Sequence, residues 1–242
     1  MMKFYHKSMS RLVSTRKKKK RKPDYRKIIL VFAVIIVIII VAVSVHSCQQ
    51  KRAAAKAEAA RLAAEDAKAT DAIDVELLTP NKYSRPGIAL KQINGIVMHY
   101  TANPGATAIE NRNYFEGLKD SHQTHASSHF IVGLDGEIIQ CIPTKEEAYA
   151  SNERNSDTLS IECCHYAKDG KFESKTYASM VKLCAYLCHR FGLTEKDIIR
   201  HYDVTGKDCP KYFVEHPKAW KKFKADVKEA LANKDWELTI NS

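Results

Sequence analysis

The part of this chain that could fold has no excess of charge of either sign. The formal net charge at pH 7 is +11 over 242 residues, yet residues 1–27 alone contain twelve Lys or Arg and a single acid, Asp24. The remainder contains 27 basic and 27 acidic residues. Because nucleic-acid-binding domains carry their basic excess on the folded part, this distribution argues against a nucleic-acid partner.

The chain also lacks a disulfide framework and internal repeats. Its seven cysteines do not follow the spacing of a disulfide-stabilised scaffold, and no segment recurs at a fixed period. We therefore expect mostly free, buried thiols in an ordinary globular domain.

One long run has no charged residue at all. Ile28 to Val45 are eighteen residues, all apolar except Ser44. At about 1.5 Å per residue the run spans about 27 Å, close to the ~30 Å hydrocarbon core of a bilayer. It is longer than the apolar part of a signal peptide, and no clean A-x-A cleavage site follows. VHSC at 45–48 only weakly resembles a lipoprotein cleavage site. An uncleaved transmembrane helix over 28–47 is therefore favoured over a cleaved signal peptide and over lipoprotein processing.

The flanks of this run set its orientation. The positive-inside rule predicts that residues 1–27 form a cytoplasmic tail and that the chain beyond about residue 48 lies outside a cell membrane crossed once. Half of residues 51–70 are Ala, with no apolar stripe to bury, which favours a helical stalk over a coiled coil. We predict a stalk and linker over 48–87, and a tail that contacts anionic lipid or a cytoplasmic partner is a further hypothesis.

A folded domain is predicted over 88–235, followed by a short tail over 236–242. Its strands and helices alternate without strict order, which indicates an α/β domain with a central mixed sheet flanked by helices. The predicted strands cover 93–100, 127–134, 137–142, 158–164 and 198–202. The predicted helices cover 108–119, 175–191 and 217–232. Asp135-Gly136 marks a hairpin between the second and third strands.

Three residues in this domain could hold a metal. His99 and His201 each end a short apolar strand, and Cys209 follows in a turn-rich loop. Two imidazoles and one thiolate suit Zn²⁺ and leave a fourth position open, as in catalytic sites. Spacing alone is weak support, because two structural histidines and a buried thiol explain the same residues.

Four stretches, in order, resemble the type 2 N-acetylmuramoyl-L-alanine amidases, a family that includes phage-lysozyme-type amidases and peptidoglycan recognition proteins. They are IVMHYTA (96–102), SSHFIVGLDGEIIQCIP (127–143), NSDTLSIECC (155–164) and RHYDVTGKDCP (200–210). The resemblance implies Zn²⁺ held by His99, His201 and Cys209. It also implies a peptidoglycan hydrolase that cuts the amide between N-acetylmuramic acid and L-alanine. A receptor that binds peptidoglycan without cutting it is the alternative.

Glu162 and Lys207 complete the predicted site. A carboxylate within an apolar strand is costly to bury unless it is paired or functional, although a Glu facing water on an edge strand is the common alternative. The resemblance implies that Glu162 is the general base and that Lys207 stabilises the oxyanion; on composition alone, Lys207 is a solvated loop residue. Ser127-Ser128 stand before His129 where some relatives have a Tyr, so the chain resembles the branch that uses Glu and Lys.

Two other groupings are weaker metal candidates. His122, His125 and His129 are closely spaced, but no carboxylate or thiol completes a ligand set, so we expect cleft-rim and supporting residues. Cys184 and Cys188 with His189 form a second weak candidate beside the interpretation of ordinary core thiols.

Overall fold

The structure, a computed structural model, describes residues 25–236, so most of the predicted basic tail and the end of the predicted C-terminal tail lie outside it. The chain divides into two compact units, residues 1–57 and 58–242. Helix α1 runs over Tyr25–Ala72 and contains the apolar run. Its segment Phe32–Ala57 is long and apolar enough to cross a membrane and has no buried side chain, although a signal sequence would satisfy the same criteria.

The second unit contains one mixed sheet, which confirms the predicted fold class. Its strands are β1 Asp74–Val75, β2 Gly95–Met98, β3 Phe130–Val132, β4 Ile138–Gln140, β5 Thr158–Cys163 and β6 Ile198–Arg200. They lie in the order β1-β4-β3-β5-β2-β6. Only β3 and β4, the predicted hairpin, pair antiparallel. The strands are shorter than predicted, although some flanking residues still bond a neighbouring strand: the His99 backbone N–H donates to the Ile161 carbonyl of β5 at 2.9 Å.

Helices cover both faces of this sheet. They are α2 Ala108–Ser121, α3 Ser174–Phe191, α4 His201–Thr205, α5 Lys211–Glu215 and α6 Pro217–Asn233. Alternation along β5 separates two cores: Cys163 packs with residues of α3 and α6, and Cys164 packs with residues of α2. All cysteines are free, and only Cys48 is exposed.

The sheet begins inside the segment predicted to be linker. β1 pairs parallel to β4, with Asp74 opposite Ile139, and Leu78 is buried in the core on the α2 side. The Arg85 guanidinium bonds both carboxylate oxygens of Glu146 at 2.7 and 2.8 Å. The domain therefore extends N-terminal to residue 88, because an edge strand and an ion pair secure this stretch.

His129 joins three parts of the fold while fully buried. Its Nδ1 accepts a hydrogen bond from the Ser160 backbone N–H at 3.0 Å, and its Nε2–H donates to the Glu146 carbonyl at 2.9 Å. Both nitrogens of the neutral ring are thus satisfied. A second proton on Nδ1 would face a donor, and burial lowers the pKa of His129 to about 4.

The lowered pKa of His129 predicts that the domain loses stability in acid. Because the folded pKa lies below the ordinary value of 6.5, the unfolded chain binds more protons between pH 6.5 and 4, and stability falls as pH falls through that window. We expect His129 to remove about 3 kcal/mol from the free energy of unfolding between pH 7 and pH 4. Denaturant unfolding across this range measures it.

His129→Gln is the control for that measurement. The variant should be less stable at pH 7, because it loses the hydrogen bonds to Ser160 and Glu146, yet it should show a shallower pH dependence below 6.5. An unchanged slope in His129→Gln would contradict the assignment.

Candidate metal centre

Parallel pairing brings the predicted site residues to one edge of the sheet. Met98 of β2 lies opposite Ile161 of β5 and opposite Arg200 of β6. The next residue on each segment is therefore a site residue: His99 after β2, Glu162 on β5, and His201 after β6. Carboxyl ends of adjacent parallel strands meet at the same edge, so three distant parts of the sequence converge there.

His201 does not end a strand, which corrects the expectation from its apolar neighbours. It is the first residue of the short helix α4. The Asp203 carboxylate accepts hydrogen bonds from the Arg200 backbone N–H at 2.8 Å and from its guanidinium. This cap turns the chain into a helix immediately after β6, so His201 leaves the sheet at its edge.

His99, His201 and Cys209 each offer one donor atom, and these atoms lie within 4.8 Å of one another. All three residues are buried. The Cys209 sulfur lies 3.8 Å from His99 Nδ1, and the two imidazole centroids are 4.7 Å apart. Two nitrogens and one sulfur in this spacing match the donor types that zinc accepts.

A polar loop before β5 orients both imidazoles. His99 Nε2 lies 3.2 Å from the Ser151 hydroxyl, and His201 Nε2 lies 3.0 Å from Asn152 Oδ1. Asn155 Oδ1 accepts the Ser151 backbone N–H and holds the loop in place. Such outer partners fix the orientation of ligating histidines. Sequence reasoning missed Ser151 and Asn152, because no local pattern in the sequence marks them. The structure places Asn152 at a positive φ, a conformation that Asn tolerates.

The state of these donors fits a metal. His201 Nδ1 is buried without a hydrogen-bond partner, while Nε2 is engaged by Asn152. Burial, then the neighbouring His201 and Lys207, hold the pKa of His99 well below its usual value, and burial likewise lowers the pKa of His201. Both rings are therefore neutral at pH 7, which is the form that binds a cation. Burial raises the pKa of the Cys209 thiol to about 12.

Glu162 lies on β5 beside the group. It is opposite Ile131 of β3, and its Oε2 is shielded from solvent without a hydrogen-bond partner. Burial raises the pKa of Glu162 to about 8, and the charge of Lys207 opposes that rise. A carboxyl group with a pKa near neutrality and no structural partner is suited to accept and release a proton.

Lys207 stands in the loop between α4 and Cys209. Its side chain is exposed, its backbone carbonyl accepts the Cys209 N–H at 2.7 Å, and its charge acts on His99, His201 and Glu162. The structure thus brings together all five residues singled out from the sequence. What each does in a reaction stays a prediction.

The other histidine groupings do not form a donor set. Within residues 25–236, only His99, His201 and Cys209 meet as a group of three. His122 and His125 stack on the Tyr83 ring at centroid distances of 4.3 and 5.1 Å. Cys184 and Cys188 are buried on α3 among apolar residues.

A mixed sheet whose carboxyl edge brings together two imidazoles, a thiol and a half-buried carboxyl defines an α/β domain with a candidate metal site. The family described as N-acetylmuramoyl-L-alanine amidase matches residues 89–212. The chain belongs to this family, of which type 2 is the branch that the sequence motifs resemble.

Curated relatives and solved structures agree with this assignment. N-acetylmuramoyl-L-alanine amidase CwlL of Bacillus licheniformis is 38% identical over 175 residues, covering 67% of this chain and 48% of the relative. BlyA of Bacillus subtilis strain 168, which carries the same enzyme name, is 38% identical over 64% of this chain and 46% of its own length. The chain thus spans about half the length of these relatives.

The solved catalytic domain of XlyA has a TM-score of 0.55 and 28% identity, covering 64% of this chain and 98% of its own. A mutant endolysin from Bacillus subtilis has the same TM-score and identity, covering 64% of this chain and 97% of its own. The matched part of this chain therefore corresponds to nearly the whole of the solved domain.

If His99, His201 and Cys209 hold the metal, removing one of these donors should abolish metal binding, and removing another buried thiol should not. In Cys209→Ala we expect zinc bound by the folded protein to fall from about one ion per chain to near zero, because two neutral imidazoles alone bind weakly. Elemental analysis after gel filtration measures it. Cys141→Ala, which removes a buried thiol from the opposite core, should keep its zinc; equal loss in both variants would count against the site.

Proposed function

We propose that this protein is a zinc-dependent peptidoglycan hydrolase that cleaves the amide between N-acetylmuramic acid and L-alanine, working outside the cell from a membrane anchor. The observation that carries the proposal is the meeting of His99, His201 and Cys209 beside Glu162. The names of the curated relatives support the choice of bond.

His99, His201 and Cys209 would hold the ion through one donor atom each. Bound zinc supplies a Lewis acid that polarises the scissile carbonyl and makes water more acidic. Ser151 and Asn152 keep the outer nitrogens of the two imidazoles engaged, so each ring presents one fixed donor to the centre.

Glu162 would move the proton in this reaction. As a carboxylate it takes a proton from the attacking water, and as a carboxylic acid it gives that proton to the amine that leaves. The raised pKa suits both halves of this cycle, since neither protonation state is strongly favoured near neutrality. The absence of a hydrogen-bond partner on Oε2 leaves that oxygen available to water.

Lys207 would stabilise the negative charge that develops on the carbonyl oxygen. Its exposed ammonium stands on the loop that leads into Cys209. Its charge lowers the pKa of each of the four other site residues, which are His99, His201, Glu162 and Cys209. A positive group placed in advance at that oxygen is often a large contribution to catalysis.

Glu162→Gln tests the proton transfer. The amide keeps the shape of the side chain but accepts no proton, so we expect kcat to fall by about 10²- to 10⁴-fold while zinc content is unchanged. Release of peptide from purified muropeptides is the measurement. If the wild-type protein binds muropeptides but releases no peptide, the result would favour a receptor that binds peptidoglycan without cutting it.

The pH dependence of the rate tests whether Lys207 lowers the pKa of Glu162. The rate should rise with pH as Glu162 ionises, and the nearby ammonium favours ionisation by lowering the pKa of Glu162. Lys207→Met should therefore move the rising limb of kcat/KM to higher pH, in addition to slowing the reaction. Lys207→Arg keeps the charge and should keep the position of the limb.

The membrane part of the proposal is supported by the exposed apolar helix segment and by the clustering of Lys and Arg before it. In this topology residues 1–27 are cytoplasmic, 28–47 span the membrane, 48–87 connect, and the domain acts outside.

Cys48 provides a test of topology, because it is the one exposed cysteine and all seven lie within the described residues. A membrane-impermeant maleimide added to intact cells should label the wild-type protein and not Cys48→Ser. Labelling only after the membrane is dissolved would place Cys48 inside, and no labelling under either condition would indicate a lipid-modified Cys48.

A further inference from the structure

The first strand of the domain lies at an open edge of the sheet. Among residues 25–236, β1 pairs only with β4. The Glu76 and Leu78 backbone N–H groups donate to carbonyls at the end of β4 and just beyond it, at 3.0 and 2.9 Å. Backbone groups of successive residues in a strand point to opposite sides, so the N–H groups of Val75 and Leu77 point away from β4. Such outward groups can pair with one further strand.

Two apolar side chains are exposed along this edge. Val75 is 45% exposed and Leu77 is 38% exposed. Leu78 belongs to the core on the α2 side, and Ile73 belongs to the core on the α3 side. Alternation along the strand therefore directs Val75 and Leu77 to the α3 side. A segment that paired with this edge would also remove these two side chains from water.

Ile73 joins this apolar row to a cavity of about 150 Å³. The helical wall of the cavity is the end of α3 that leads towards β6. The cavity therefore lies at the amino edge of the sheet, away from the carboxyl edge that carries the donor group. A cavity of this size has room for a group as large as benzene, and so for one branched aliphatic side chain. Its lining combines apolar and polar side chains, among them Ile73, Phe130, Leu187, Phe191, Thr144 and Arg190.

The described chain ends next to this cavity. The Trp236 indole stacks on the His189 imidazole with a centroid distance of 4.3 Å and an interplanar angle of 23°. His189 stands in the last turn of α3, between Leu187 and Phe191, which line the cavity. Residues 237–242 follow Trp236 directly. Because an extended chain covers about 3.3 Å per residue, six residues reach about 20 Å, enough to pass from this turn to the edge of β1.

Residues 237–242, which lie outside the described residues, have the sequence pattern of a strand. They read Glu-Leu-Thr-Ile-Asn-Ser, so that Leu238 and Ile240 alternate with polar residues. Thr and Ile are also residues that favour strands. In a strand Leu238 and Ile240 would share one face, and one face is what the apolar row and the cavity offer.

We propose that residues 237–242 bind the open edge of β1 as a further strand of the sheet. One of Leu238 and Ile240 occupies the cavity, and the other covers Val75 and Leu77. The occupant of this edge is thus a segment of the same chain. Its binding joins the last residues of the domain to its first strand, and it is independent of the reaction at the metal centre.

A second copy of this chain fits the edge less well. Pairing two β1 strands about a twofold axis at Val75 would set Asp74 of one copy opposite Glu76 of the other. Both side chains are exposed acids, and like charges directly opposite each other destabilise a strand pair. Residues 238–242 contain no charged side chain, so the proposed strand avoids this repulsion.

Hydrogen exchange tests the proposal on the full-length protein in detergent. We compare it, with resolution of single amides, with a chain that ends at Trp236. Exchange at the Val75 and Leu77 amides should be about tenfold faster in the shortened chain, because pairing protects them. The Glu76 and Leu78 amides bond the β4 side and should exchange equally in both chains. Equal exchange of Val75 and Leu77 in the two chains would overturn the proposal.

Point variants separate the apolar face of the strand from its polar face. Leu238→Ser/Ile240→Ser should exchange at Val75 as fast as the shortened chain does, whereas Thr239→Ala/Asn241→Ala should stay protected. If the two double variants behave alike, the alternation does not direct binding and the proposal is wrong. Circular dichroism checks that both remain folded.

Filling the cavity gives an independent result. Thr144→Phe places a ring in the cavity and should expose the Val75 amide to exchange, because no space remains for Leu238 or Ile240. Lys145→Phe is the matched control, since Lys145 is exposed and does not line the cavity. Protection that survives Thr144→Phe would remove the cavity from the binding site.

Dilution and a synthetic peptide identify the occupant. Protection of Val75 by a segment of the same chain should not depend on protein concentration, whereas protection lost on dilution would assign the edge to a second copy and overturn the proposal. The peptide Glu-Leu-Thr-Ile-Asn-Ser, added to the shortened chain, should restore protection only near millimolar concentration, because the covalent link is gone. A peptide with Ser in place of Leu and Ile should not restore it.

Discussion

The parallel register of β2 with β5 and β6 is the constraint on which the site depends. Met98 stands opposite Ile161 and Arg200, so residues more than a hundred positions apart in sequence emerge at one level. A slip of one residue in either pairing would turn the following side chain to the other face of the sheet. The apolar residues on both faces of β2 and β5 resist such a slip, because each would have to leave its core.

The polar loop before β5 depends on the same register. Ser151 and Asn152 reach the two imidazoles only because β5 starts beside β2, with Thr158 opposite Gly95. The loop then satisfies the outer nitrogens, and burial keeps both rings neutral. The donor group lies at the carboxyl end of β5, the strand that separates the two cores.

Local sequence patterns were sufficient for much of this arrangement. The apolar run before His99, the Asp135-Gly136 hairpin and the spacing of apolar residues in α3 each predict their element, because hydrophobic periodicity and turn chemistry are local properties. The edge strand β1 was missed, because a strand of two residues is too short to show a hydrophobic period. The start of α4 at His201 was missed because it depends on the Asp203 cap. Ser151 and Asn152 were missed because their contacts are with residues distant in sequence.

The burial of Cys209 has a consequence for how a metal ion would bind to this donor group. With a pKa of about 12, the thiol holds its proton throughout the physiological range until a cation displaces it. Uptake is therefore an exchange of ion for proton, and apparent affinity falls about tenfold for each unit of acidification. The fraction of chains that carry an ion at this site would therefore depend on the acidity of the medium.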